Sequence, residues 1–134
     1  MAAQGSSRQG PGTRPVRAKD ALGRYGEQLA AQHLTAAGMT VLDRNWRCRQ
    51  GELDLVARDR DGTLVFCEVK TRSSTVFGEP AEAVGRTKAR RLHVLAMRWL
   101  QEHPSGGSPL RFDVIAVVRR RGEPPVVRHL REAF

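Results

Sequence analysis

The chain has 134 residues, with 23 Lys and Arg against 14 Asp and Glu, for a formal net charge of +9 and an isoelectric point near 11.1. That length suits one domain with its own core, and 40% hydrophobic with 28% charged residues is too apolar for wholesale disorder. No stretch approaches the ~18 consecutive apolar residues of a membrane span, residues 1–19 hold no apolar leader segment, and two cysteines make neither a disulfide framework nor a zinc site.

The expectation is therefore a cytoplasmic protein with no membrane partner and with reduced packing thiols at Cys48 and Cys67. The positive charge is unevenly placed. Residues 1–19 carry Arg8, Arg14, Arg17 and Lys19 without an acid, in a Gly/Ser/Pro-rich stretch that has little to bury. They read as a disordered basic arm ahead of a single domain over 20–134. Almost all other cations are arginine, so Lys70 and Lys88, the lysines outside the arm, stand out.

Residues 21–38 form the first expected helix, because Leu22, Tyr25, Leu29 and His33 recur at helical spacing and Gly38 supplies a stop. Glu27 shares a stripe with Leu34 and points toward whatever the helix packs on. Gly26 inside a helix costs about 1 kcal/mol relative to Ala, which suggests close approach to a sheet. Met39–Trp46 reads as a strand, 47–50 as a turn, and 52–58 and 64–70 as two more strands. Pro80 opens a second helix running to Glu102, in which Lys88 falls inside the apolar arc of Val84, Leu92, Leu95 and Trp99. Its ammonium either reaches over the sheet to a carboxylate or phosphate, or snorkels to solvent. A PSGGSP loop precedes a fourth strand at 111–118, and a short fifth is expected around 126–129. The order is αβββαββ, an α/β fold.

The register of the hairpin in GELDLVARDRDGTLVFCEVKTR, residues 51–72, follows from burial. Leu53, Leu55 and Ala57 share a face with Val65, Cys67 and Val69 when a three-residue loop, Arg60-Asp61-Gly62, closes the hairpin with Gly62 left-handed. A two-residue Asp61-Gly62 turn would mix charge into both faces, and burial selects against such a slip. This register places Asp54 opposite Glu68 and Glu52 opposite Lys70, so four ionisable groups meet at one end of one face. Two carboxylates so close need neutralising, and a hard divalent cation such as Mg²⁺ does that with one or two protein carboxylates and retained waters. The plain alternative is a Glu52–Lys70 ion pair with Asp54 and Glu68 as solvated carboxylates. Arg72, just past Lys70, is placed to contact a phosphate backbone, as is Lys88. Asp113 reads as structural, and the four histidines show no ligand spacing.

The segments GRYGEQLAAQHL, RNWR, GELDLVA, FCEVKTR and RFDVIAVV resemble, in order, the YraN-like uncharacterised protein family, which is related to Holliday-junction resolvases within the PD-(D/E)xK restriction-endonuclease-like superfamily. The resemblance implies an αβββαβ core with a mixed central sheet flanked by helices. It implies Asp54, Glu68 and Lys70 as the catalytic motif, Glu27 as the helix-1 glutamate, and Mg²⁺ or Mn²⁺ held by Asp54 and Glu68. Glu52 is auxiliary. The expected activity is a metal-dependent nuclease hydrolysing DNA, including branched forms, and a homodimer is one option the resemblance leaves open. The alternative is a nucleic-acid-binding module that keeps the fold without cleavage.

Overall fold

The computed structural model describes residues 18–73 and 86–134. Residues 1–17 lie outside it, with most of the expected basic arm, as do 74–85, with Phe77, Val84 and the expected start of the second helix at Pro80.

The described chain runs α1 (Ala18–Ala36), β1 (Thr40–Cys48), β2 (Gly51–Arg58), β3 (Leu64–Arg72), α2 (Arg86–Glu102), β4 (Leu110–Val118) and β5 (Val126–Leu130). The five strands form one sheet in sequence order. Pairing is antiparallel except between β3 and β4, which are joined through α2 and run parallel. A parallel pair requires such a crossover, whereas the β1–β3 meander needs only tight turns. The result is the mixed α/β sheet with αβββαβ order expected above. The first helix begins three residues earlier than its apolar spacing indicates, taking in Ala18 and Lys19, and β1 extends through Cys48, leaving a shorter turn.

One helix covers each face. Ala30, Ala31 and Leu34 of α1 pack with Met39 on Leu55, Ala57, Val65, Cys67, Ile115 and Val117. Leu92, Leu95, Ala96 and Trp99 of α2 pack on Trp46, Leu53, Val56, Leu64, Phe66 and Phe112. The buried face of α1 is thus the Gly26, Ala30, Ala31, Leu34 stripe, and the larger Leu22, Tyr25, Leu29 and His33 lie on its half-buried flank. Small residues face the sheet because the helix comes very close to it: a Cβ at Gly26 would overlap the Thr71 side chain of β3. The helix ends as its sequence indicates. Gly38 at φ 93° donates to the Thr35 carbonyl and Met39 to that of Leu34, while the Met39 and Leu34 side chains are buried together.

The hairpin also takes the expected register. Leu55 pairs with Cys67, Val56 with Phe66, Ala57 with Val65 and Arg58 with Leu64. Asp59 N–H donates to the Thr63 carbonyl, Gly62 N–H donates to that of Asp59, and Gly62 has φ 92°, as a three-residue bulged loop requires. Beyond Leu55 the expectation fails. The β2–β3 ladder ends at Leu55 and Cys67, so Asp54 and Glu68, and Glu52 and Lys70, are not ladder partners. Leu53 turns to the α2 side while Val69 packs on the α1 side. At the same level on β1, between the pairs Arg44–Leu55 and Trp46–Leu53, Asn45 adopts φ 53°. A left-handed residue interrupts the alternation of faces in β1 where Leu53 changes side in β2.

Candidate active site

The strands β2 and β3 part where the polar residues lie. Asp54 bridges the gap: its Oδ2 accepts the Val69 backbone N–H at 2.8 Å, in place of a ladder bond. Burial, and next the negative field of Glu68, push its carboxyl up to about 8, against the downward pull of the Val69 N–H; Glu27 and Glu52 add to the rise. A carboxyl so perturbed marks a place where negative charge is poorly compensated.

Glu68 lies on β3, and its Oε2 is 2.7 Å from Lys88 Nζ and 3.4 Å from Lys70 Nζ. Of the two options for Lys88, the reach to the carboxylate is the one realised. The two ammonium groups are not equivalent. Burial and the neighbouring Lys88 lower the Lys70 pKa, against the pull of Glu68. Burial works against charge on Lys88 too, but hydrogen bonding to Glu68 and Lys70 and the fields of Glu68 and Asp54 outweigh it and raise its pKa. Lys88 therefore holds its proton firmly, while Lys70 gives up a proton more readily than an exposed lysine.

Glu27 enters from α1. Burial raises its pKa, followed by repulsion from Glu52, while a hydrogen bond from the Asn45 side chain and the fields of Arg44 and Arg47 oppose the rise. Asn45 is the residue the sequence reading missed. Its left-handed backbone lies beside the end of the β2–β3 ladder and its amide orients Glu27; Asn is among the few non-glycine residues that tolerate φ > 0, but nothing local marks this Asn as doing so. Glu52 does not pair with Lys70. It meets Arg47 across the β1–β2 pair at 3.5 Å, so it belongs to the rim of the cluster. Arg72 is exposed at the end of β3, two residues beyond Lys70, and its carbonyl accepts the Arg119 N–H at 2.8 Å.

The donor set suits a hard cation with a mostly aqueous shell. Asp54 and Glu68 each offer a carboxylate oxygen outside the contacts above, and the field at Asp54 favours added positive charge. Among the described residues no group of three or more His, Cys, Asp or Glu side chains is arranged to hold an ion alone. Two protein ligands plus waters is the usual arrangement for Mg²⁺.

A second polar network lies apart from this cluster. Asp113, wholly buried, accepts Arg111 Nε and Nη2 at 3.0 Å, His129 Nε2 at 2.7 Å and the Glu132 N–H at 3.1 Å. Arg111 continues to Asp59 at 3.0 Å. On the other side of the ring, His129 Nδ1 lies 3.2 Å from His33 Nε2, and the tautomers of the two rings set which nitrogen donates. Burial alone would raise the Asp113 pKa, but His129, Arg111 and the Glu132 N–H outweigh it and lower it. Asp113 is thus structural, as expected, and two histidines with no motif of their own complete its network. Cys67 is a core thiol whose ionisation burial suppresses.

Comparison with known proteins places these residues in a family. The model of the Uncharacterised protein family UPF0102 matches residues 26–117, a span that contains Glu27, Asp54, Glu68, Lys70 and Lys88. A UPF0102 protein of Frankia alni is 61% identical over 119 residues, covering 89% of this chain and 98% of its own. One from Acidothermus cellulolyticus is 53% identical, over 87% of this chain and 96% of its own, and one from Rhodococcus opacus 52%, over 85% and 96%.

Proposed function

The chain belongs to the UPF0102 family, and on that premise we propose that it is a metal-dependent nuclease that hydrolyses phosphodiester bonds in DNA, branched or otherwise structured substrates included. The observation that carries this reading is the convergence of Asp54, Glu68 and Lys70 at the parting of β2 and β3, with the Asp54 carboxyl pushed up to about 8.

In this reading Asp54 and Glu68 hold Mg²⁺ or Mn²⁺, which when bound supplies Lewis-acid stabilisation of phosphate charge and a more acidic water. The Val69 N–H fixes the Asp54 carboxylate so that one oxygen stays directed at the site. Lys70, whose pKa burial and Lys88 lower, is suited to take a proton from the attacking water or to offset charge on the phosphate. Glu27, oriented by Asn45, completes the acidic rim. Arg72 and Lys88 lie where a phosphate backbone would pass, and the net charge of +9 favours a polyanion as partner.

A second reading is a nucleic-acid-binding module without cleavage, and the observation in its favour is that Glu68 is already neutralised by two ammonium groups. Cleavage of four-way, forked, single-stranded and duplex DNA in Mg²⁺ or Mn²⁺, by wild type, Asp54→Ala and Lys70→Ala, separates the two. The nuclease reading expects cutting by wild type and loss in both variants. It fails if wild type cuts nothing or if both variants cut equally well, and salt-sensitive binding that survives Asp54→Ala without cutting supports the module.

A further inference from the structure

The shortest ion pair in the cluster joins two elements that the sheet itself does not connect: Lys88 Nζ, from α2, lies 2.7 Å from Glu68 Oε2, on β3. Glu68 is fixed by its strand, which pairs with β4 through this stretch, and its side chain is mostly buried. Lys88 is the mobile partner by construction. Its four-carbon stem has several rotatable bonds, and its side chain is more exposed than those of Glu68 and Lys70, so a path to solvent is open.

The charges differ in the same direction. Asp54, Glu68, Glu27 and Glu52 act on one another, yet among the described residues the close cation that arrives from outside the sheet is a monovalent ammonium. A divalent ion at Asp54 and Glu68 would sit across the same carboxylate from that ammonium, and two positive charges so close, in a partly buried site, repel strongly. The fixed carboxylates favour the ion of higher charge, and the flexible lysine is the group able to leave.

We propose that Lys88 is a placeholder for the divalent cation: it holds Glu68 in the metal-free protein, is displaced when the ion binds, and then offers its ammonium to a substrate phosphate. The proposal rests on the metal-dependent reading above and adds an order to it, cation first and polyanion second. In the metal-free state the ammonium is spent internally, so the site has little to offer a phosphate.

The test is a Mn²⁺ titration of the full chain, with free ion followed by electron paramagnetic resonance at constant pH. It compares wild type, Lys88→Met, Lys88→Arg, Asp54→Asn and Arg47→Met. Loss of one charge-assisted contact to Glu68 should tighten Mn²⁺ binding by about tenfold in Lys88→Met, and Lys88→Arg, which keeps the charge, should stay within about threefold of wild type. Arg47→Met removes a nearby charge that pairs with Glu52, and screening should confine its effect to about twofold.

A fluorescent duplex, bound with and without Ca²⁺, reads the second half: Ca²⁺ should strengthen binding by wild type and not by Lys88→Met. Equal Mn²⁺ affinity in wild type and Lys88→Met overturns the placeholder role while leaving the metal site standing. Equal tightening in Arg47→Met overturns displacement in favour of a diffuse charge effect, and a Ca²⁺ gain retained in Lys88→Met overturns the phosphate contact. If neither wild type nor Lys88→Met binds Mn²⁺, the metal-dependent reading falls and this inference with it.

Discussion

The Asp54 carboxylate takes the Val69 backbone N–H at 2.8 Å, a bond that substitutes a side chain for the strand ladder at the point where β2 and β3 separate. Two needs are met by one contact. The half-buried N–H of Val69 finds an acceptor, and a carboxylate is held with a defined orientation in a site where burial disfavours its charge.

This burial gives Asp54 a signature in stability. Its folded pKa of about 8 lies above the ordinary 3.8, so between those values the folded protein keeps a proton that the unfolded chain has released. Without metal, the contribution of this group is fully present below the unfolded value and is lost as pH rises through the folded one. Chemical denaturation of wild type and Asp54→Asn across this window should show wild type falling relative to the variant by up to about 1.4 kcal/mol per pH unit, levelling above the folded pKa. Parallel profiles would show that the carboxyl titrates normally. Saturating Mg²⁺ should raise the wild-type melting temperature increasingly with pH and leave Asp54→Asn unmoved.

Gly26 and Gly23 provide a matched pair in α1. A Cβ at Gly26 overlaps Thr71, whereas at Gly23 it meets open space. Gly26→Ala should cost about 1–3 kcal/mol as α1 is forced off β3, and Gly23→Ala should stabilise by about 0.5–1 kcal/mol. Thermal melts that move in the same direction for both would contradict the close approach.

Asn45 joins backbone strain to site geometry. Asn45→Gly keeps φ 53° accessible and should leave the fold near wild-type stability, while Asn45→Val, β-branched at a left-handed position, should cost roughly 1–3 kcal/mol. Both lose the hydrogen bond to Glu27. If cleavage depends on an oriented Glu27, activity should fall in both, and a loss confined to Asn45→Val would assign the role to the backbone alone.

The buried Asp113 network should respond sharply to losing one member. Arg111→Met removes the guanidinium that serves both Asp113 and Asp59, and about 3–5 kcal/mol of destabilisation is expected. Adding Asp113→Leu to Arg111→Met should recover part of the loss, since it removes the stranded carboxylate. Because the folded Asp113 pKa is depressed, its contribution is present above the unfolded carboxylate pKa and disappears as pH falls through the folded value. Acid titration of wild type against the double variant measures that difference.

Much of this was legible in one dimension where local rules acted alone. The Gly62 turn fixed the hairpin register, Gly38 ended α1, and the apolar arc of α2 carried Lys88 with it. The inner face of α1 was legible in part: Gly26 signalled the close approach to β3 and Leu34 the packed stripe, while Leu22, Tyr25, Leu29 and His33, whose spacing marks the helix, lie on its half-buried flank. The pairing of Asp54 with Glu68 was misplaced. Strict alternation carried the ladder past Leu55, where the pairing ends and where Asn45, on a different strand, takes a left-handed backbone.

The sequence by itself determined which side chains gather at the hairpin end, because period-two alternation and turn chemistry act over a few residues. Tertiary structure alone decided how they interact: that β2 and β3 part at Asp54, that α1 brings Glu27 under Asn45, and that α2 lays Lys88 on Glu68. Those contacts join residues on separate elements, and their geometry depends on how closely each helix can lie on its face of the sheet. Burial and charge at Asp54 arise from that packing, so no local pattern in the chain could announce them.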